Sequence, residues 1–518
     1  MKSLGKREKR RRGTAFLLSL VTAAGILWSG TTGIRAYAEE NPSSLMLGIF
    51  FNSQEDMSDT LYVSFNGIDF YSIGMAYEDA FKTDSSNAQC TESPSLSPRS
   101  DFEKTWYVNC LHDPGLIYKD GYFWSLSGFT QECDGRWTFT PMLGCSSDLV
   151  NWSFPGSGSS TNIVPVGTMP YARDGSRTNT QFDAVAPDMM LDDDGTVWMV
   201  VAMGYYSQFH GEDSKYDKDS IYLIRVDGLT PGSTDLTTRD NKAKAPKVTY
   251  SDAVPVNLPD SCDNRIDPSL YKENGKYYLA VKKNGITDEI WEIDSLSLDS
   301  VQNSANWTCV NSSVTKGSEG PCLTKYEGEY FYYTDGLENN EDNVVGNSKT
   351  GIQVCRSTGL DDPFTKPVLI NTVDANGNAI PARHGTVMSI TDSAVIEKVM
   401  SRYRANGYSY DSSMNTLSDL PDGWRYLNDK EYWYEGDVRQ GTSSDPKNLL
   451  DSNGNPRGRE ICDPDSKAWY WFNANDNGAK AVDTDVFIPY FDQSDSMTAS
   501  NHDAEPDSYG KWVHYDEV

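Results

Sequence analysis

A short unit recurs along this chain: an extended aromatic-rich run, a turn carrying Asn-Gly, Asp-Gly or Glu-Gly, and a second extended run. It appears as SFNGIDFYSIG (Ser64–Gly74), YKDGYFWSLSG (Tyr118–Gly128), LDDDGTVWMVVAMG (Leu191–Gly204), YKENGKYYLAVKK (Tyr271–Lys283) and KYEGEYFYYTDG (Lys325–Gly336). Asn-Gly and Asp-Gly accept the positive φ that a tight hairpin needs. Alternating large and small residues send one face of each strand inward. The units lie roughly 50 to 80 residues apart, as four-stranded propeller blades of about 40 to 50 residues do when insertions lengthen them. Helical patterns are nearly absent between residues 45 and 390. The pattern predicts an all-β chain whose residues 39–390 form a five-bladed β-propeller. A β-sandwich, single or stacked, is the competing architecture.

The two ends read differently. Met1–Gly13 carries seven basic residues against Glu8, Thr14–Gly30 is almost wholly apolar, and Ala36-Tyr37-Ala38 has the small-x-small form of a cleavage site. Residues 1–38 are expected to be a secretory signal peptide. An apolar run of about 17 residues is marginal for a membrane span, and no second run is long enough, so no span is expected after cleavage. Past residue 390, Val395, Ile396, Val399, Met400 and Tyr403 fall on one helical stripe, with Gly407 as its stop. Residues 391–421 are read as helix and linker, and 422–518 as a small module of aromatic β-hairpin repeats.

The formal charge of −30 repels phosphate backbones, which argues against nucleic acid as a partner. The nine cysteines are widely and irregularly spaced with no C-x-x-C pair, so neither a zinc ribbon nor a redox motif is indicated. In a secreted chain some can pair, and the odd count leaves at least one free.

The residues just before the hairpins carry the chemistry. His112-Asp113-Pro114 precedes the second unit, Ala186-Pro187-Asp188 the third, Ile266-Asp267-Pro268 the fourth and Glu319-Gly320-Pro321 the fifth. One Asp-Pro is ordinarily a turn. Four acids beside proline at the same place in four successive units predict four carboxylates converging on a propeller axis.

This series, with Arg383-His384-Gly385 following it, resembles glycoside hydrolase family 43 over residues 45 to 390. The resemblance implies the five-bladed fold and an inverting hydrolase of pentosyl linkages, arabinofuranosyl or xylosyl, in plant polysaccharides. It implies Asp113 as general base, Glu319 as general acid and Asp188 as the residue that tunes and orients Glu319. An inverting pair stands about 6.5–9.5 Å apart to admit water, and a neighbouring carboxylate helps the acid keep its proton. Asp267, His112 and Arg265 are expected substrate contacts, with Lys282 a further one. His384 is an expected contact for a structural calcium ion at the axis. The third motif departs from the family's Trp-Ala-Pro-Asp by carrying Val185, which bears on substrate preference. His210 lies in a polar aromatic insertion, Gly204–Asp217, read as a surface loop or a subsite. A fructosyl-acting propeller matches the motifs less well, and a catalytically idle sugar-binding surface protein is the alternative from another class.

The tail's Gly-Trp, Trp-Tyr-Trp and Gly-Lys-Trp hairpins resemble cell-wall-binding repeats, relatives of choline- and glucan-binding repeats. Trp424, Trp433, Trp469, Trp471 and Trp512 are the expected ring platforms, or else simply packing residues. Together these readings predict a secreted enzyme held non-covalently on a cell-wall polymer.

Overall fold

The computed structural model describes residues 41–51, 59–76, 89–90, 106–133, 136–153, 183–204, 220–234, 246–260, 264–283, 287–315, 318–336, 351–451, 453–489 and 510–516. The signal-peptide reading of residues 1–38 and the loop bearing His210 lie outside the described residues.

Five antiparallel sheets make the five blades. Their inner strands are β1 (Trp106–Lys119), β2 (Asp183–Leu191), β3 (Arg265–Glu273), β4 (Ser318–Tyr326) and β5 (Arg383–Ile390). Each inner strand packs against the inner strands of both neighbours, and β5 meets β1, so the ring closes. The blades headed by β1 to β4 run outward in chain order, and in each the predicted Gly-containing turn joins the inner strand to the second one.

The fifth blade is assembled from both ends of the propeller sequence. Its inner strand β5 pairs with Leu45–Phe51, which pairs with Asp59–Ser64, then Asp69–Met75. The unit Ser64–Gly74 therefore joins the second-to-last and last strands of this antiparallel run, not an inner pair. The repeat had placed all five units at one level, and ring closure shifts this one outward.

Apolar side chains fill the wedges between blades. Met199, Ile224 and Leu143 pack between the first two, Leu279, Trp291 and Val200 between the next pair, and Phe50, Tyr62, Phe331 and Val354 between the fourth and fifth. The wedge between the fifth and first blades holds the predicted helix, α1 (Ser393–Ala405). The Asp392 side chain caps the backbone N–H groups of Ala394 and Val395, and the predicted apolar stripe is the buried face. Gly407 follows at φ 91°, which ends the helix.

The tail strands between Gly423 and Lys480 join one further sheet, and Thr484–Pro489 pairs separately with Gly510–Tyr515. The edge strand of the further sheet, Phe364–Thr365, comes from the propeller and pairs with Gly423–Leu427. The hairpin Thr484–Pro489 and Gly510–Tyr515 packs Val486, Ile488 and Tyr515 against Trp471. Trp433 and Trp471 are buried, so these two expected platforms are core residues. Trp424 sits edge-on to Trp433 and Tyr470. Trp469 and Trp512 stay open, at 59% and 64% exposure. No helix among the described residues is long and apolar enough to cross a membrane.

Gly385 marks how tightly the ring closes. A Cβ there would stand 1.9 Å from the Ile49 carbonyl oxygen across the closing ladder. Backbone cannot give way as a side-chain tip can, so overpacking of this kind costs about 1–3 kcal/mol or more. Gly385→Ala is expected to lower stability in urea unfolding by at least that amount, and an unchanged midpoint contradicts the closure described.

Candidate active site at the propeller axis

Four inner strands break their ladders at the acid–proline motif, and β5 breaks its ladder at His384. Pairing skips a step between His112 and Gly115, between Ile266 and Ser269, and between Glu319 and Cys322; it skips likewise at Ala186–Pro187 and at His384. These are β-bulges within the strands, not turns ahead of them. The residue before each proline is left-handed: Asp113 at φ 51°, Ala186 at 47°, Asp267 at 55° and Gly320 at 63°. For residues other than glycine this is uncommon, and such strain clusters at functional sites.

The bulge puts the four motifs in structural register, and the acids are not equivalent. Asp113 and Asp267 occupy the left-handed position itself. Glu319 stands one residue before it and Asp188 two residues after it. The chain thus spreads its acids along the axis.

Asp113 lies between two imidazoles. His112 Nδ1 is 2.7 Å from Oδ2 and His384 Nδ1 is 3.0 Å from Oδ1. Burial by itself would push the Asp113 carboxyl up, but His384 and then His112 hold it well below the usual range. For His384, burial opposes the charge, and Asp113, helped by Asp267 and Asp335, raises the imidazole to about 9. The His384 ring rests on Gly320, where a Cβ would come within 2.4 Å of it. Only glycine suits that contact together with φ 63°. Phe51 lines the same corner, edge-on to His112 at 6.3 Å and beneath the Arg383 guanidinium at 5.6 Å.

Glu319 is held by two cations, Lys282 Nζ at 2.9 Å and Arg383 Nη2 at 2.6 Å. Asp267 Oδ2 accepts the Gly320 N–H at 3.0 Å, one residue from Glu319. Burial raises the Asp267 carboxyl; the His384 charge opposes that shift and the Glu319 charge adds to it.

Asp188 sits elsewhere. It accepts the Leu270 N–H and the Thr386 hydroxyl, both at 3.1 Å, and so ties β2 to β3 and β5. Burial raises its carboxyl against those hydrogen bonds. The hydrogen bond that reaches the residue beside Glu319 comes from Asp267, because the bulge in β2 carries Ala186 where β3 carries Asp267.

Arg265 is committed within its own blade, to Glu289 at 3.1 Å and Asp260 at 2.5 Å. No group of three or more His, Cys, Asp or Glu side chains that could hold a metal occurs among the described residues. His384 Nδ1 is engaged by Asp113 Oδ1 at 3.0 Å. Cys145, Cys309, Cys322, Cys355 and Cys462 carry free thiols.

Three buried acids surround the site and were not singled out in the sequence. Ser127 donates to Asp59 and Ser318 to Asp288, each at 2.5 Å, while Arg383 Nε donates to Asp335 at 2.5 Å. Burial pushes them up to about 7, 7 and 8 respectively. Asp335 had a sequence signal: it lies directly across the ladder from Glu319, within a recognised hairpin unit.

No family model and no curated protein matches the chain. Solved structures do. An exo-β-1,3-galactanase from Clostridium thermocellum aligns at 16% identity and TM-score 0.32, covering 52% of this chain and 49% of that one. A GH43 protein from Bacillus licheniformis aligns at 17% identity and TM-score 0.30, covering 50% and 43%. A GH62 α-L-arabinofuranosidase from Coprinopsis cinerea aligns at 11% identity and TM-score 0.32, covering 56% and 80%. This chain thus spans about half of the first two.

The titrations set a sign for stability. His384, Asp59, Asp288 and Asp335 all have folded values raised above their unfolded ones. Each contributes stability at low pH that is lost as pH rises through its folded value. Asp113 has the opposite sign, and its contribution is complete above the ordinary carboxylate range near pH 4. Between about pH 5 and 9 the melting temperature is expected to fall, and a flat or rising trend contradicts these assignments.

Proposed function

We propose that this chain is a secreted glycoside hydrolase that inverts configuration at pentosyl linkages, arabinofuranosyl or xylosyl, of plant polysaccharides. The observation that carries this reading is Asp113, kept ionised between His112 and His384 in the same axial mouth as Glu319. An ionised carboxylate can take a proton from water. Glu319, bordered by Asp267, can give one to the leaving oxygen.

Water attacks the anomeric carbon and yields its proton to Asp113. The glycosidic C–O bond breaks, and its oxygen takes the proton of Glu319. Asp267 takes the tuning role by like-charge repulsion, and Asp188 holds the strands that carry the site. The pentosyl preference rests on the motif resemblance. Val185, half-buried against the blade core, stands where the related motif has tryptophan, which leaves the pocket wall to other residues.

The same reading places the protein on a cell-wall polymer. Trp469 and Trp512 present open ring faces suited to stacking on sugars.

Asp113→Asn and Glu319→Gln are each expected to lower kcat on a pentosyl substrate by about 10²- to 10⁴-fold, the usual span of a positioned acid or base. Turnover that survives either change contradicts the assignment. Trp469→Ala with Trp512→Ala is expected to weaken retention on insoluble wall polysaccharide, and unchanged retention removes these rings from the binding role.

A further inference from the structure

Both oxygens of Glu319 are occupied by positive charge. Lys282 Nζ donates to Oε2 at 2.9 Å, and Arg383 Nη2 donates to Oε1 at 2.6 Å. Arg383 is anchored from behind by buried Asp335. Lys282 comes from the second strand of the third blade, Lys276–Lys283, and belongs to none of the five inner-strand motifs. Its side chain is only 5% exposed. Burial opposes its charge, but Asp267 and Glu319 more than restore it.

A cation at hydrogen-bond distance favours a carboxylate over a carboxylic acid, and the more so away from water. A proton donor needs the opposite form. Several groups bear on Glu319 or on its two cations: Arg383 and His384 from β5, Asp267 from β3, Asp335 from Glu329–Gly336, Asp288 from Thr287–Ile293, and Asp113 from β1. Lys282 and Arg383 are the cations in direct contact with Glu319.

We propose that Lys282 is a positioning residue that anchors the Glu319 carboxyl in the free enzyme, so that proton donation follows opening of this ion pair. This rests on Glu319 being the proton donor. The role is separate from that of Arg383, whose guanidinium is fixed by Asp335 and Phe51 whether or not Lys282 is present.

The test is the pH profile of kcat/KM on an unactivated pentosyl disaccharide, whose leaving alcohol needs a proton; this profile reports the free enzyme. It compares wild type, Lys282→Gln and Lys282→Arg, with folding checked by circular dichroism. Lys282→Gln is expected to move the alkaline limb up by about one pH unit or more, the effect of removing an opposite charge at this distance. Lys282→Arg keeps the charge and is expected to keep the limb where it is. An alkaline limb in Lys282→Gln that coincides with wild type overturns the proposal. Should the Gln variant fail to fold, a displaced limb in Lys282→Arg overturns it equally, since the charge is intact. Glu319→Gln separates the two levels. If that change abolishes turnover while the Lys282→Gln limb stays put, only the Lys282 role fails. If turnover survives it, the proton-donor reading fails and the Lys282 role with it.

Discussion

The ladder between β5 and Leu45–Phe51 closes the ring, and the site depends on that closure. β5 brings Arg383, His384 and Thr386 to the axis, where they meet Glu319, Asp113 and Asp188 from three other blades. Without closure His384 has no Asp113 to face and Glu319 loses Arg383. The closing strand itself contributes Phe51, which borders both His112 and Arg383. One pairing thus joins the chain's distant segments and completes the cluster of charges.

Closure also explains the electrostatics. Five inner strands converge, so carboxylates from separate blades are brought together out of water. Desolvation dominates the buried acids Asp59, Asp288 and Asp335, which rise to about 7 to 8. Where a cation reaches a carboxylate in good geometry, the balance reverses. Asp113 is the case in point, since two imidazoles outweigh its burial. The site therefore brings together carboxylates that burial pushes up and one that two imidazoles hold down.

Much of this was legible in the residues. The Gly-turn units pointed to the blades, the acid–proline motifs to Asp113, Asp267 and Glu319, and Arg383-His384-Gly385 to His384. The stripe in α1 was readable to its last buried residue, because cap, period and stop all agree. The first unit's place in its blade was not readable, since it depends on a partner strand more than 300 residues away in sequence. Asp188 and Asp267 both stand next to proline, but on opposite sides of it: aligning the prolines pairs Ala186 with Asp267, and both are left-handed in the bulges. Lys282 was read as a substrate contact and Asp335 lay inside a recognised hairpin unit, but both lie on second strands, so only cross-strand pairing shows that each serves the Glu319 corner. Among the tail tryptophans, spacing could not separate buried Trp433 and Trp471 from open Trp469 and Trp512.

The central claim is that Asp113 activates water on one face of a glycosidic bond while Glu319 protonates the oxygen on the other. The most direct test follows the anomeric proton of the first-formed sugar by NMR, within minutes of adding enzyme to a pentosyl oligosaccharide and before mutarotation. The account predicts that the product appears first with the anomeric configuration opposite to that of the substrate. A first-formed product of retained configuration would contradict it.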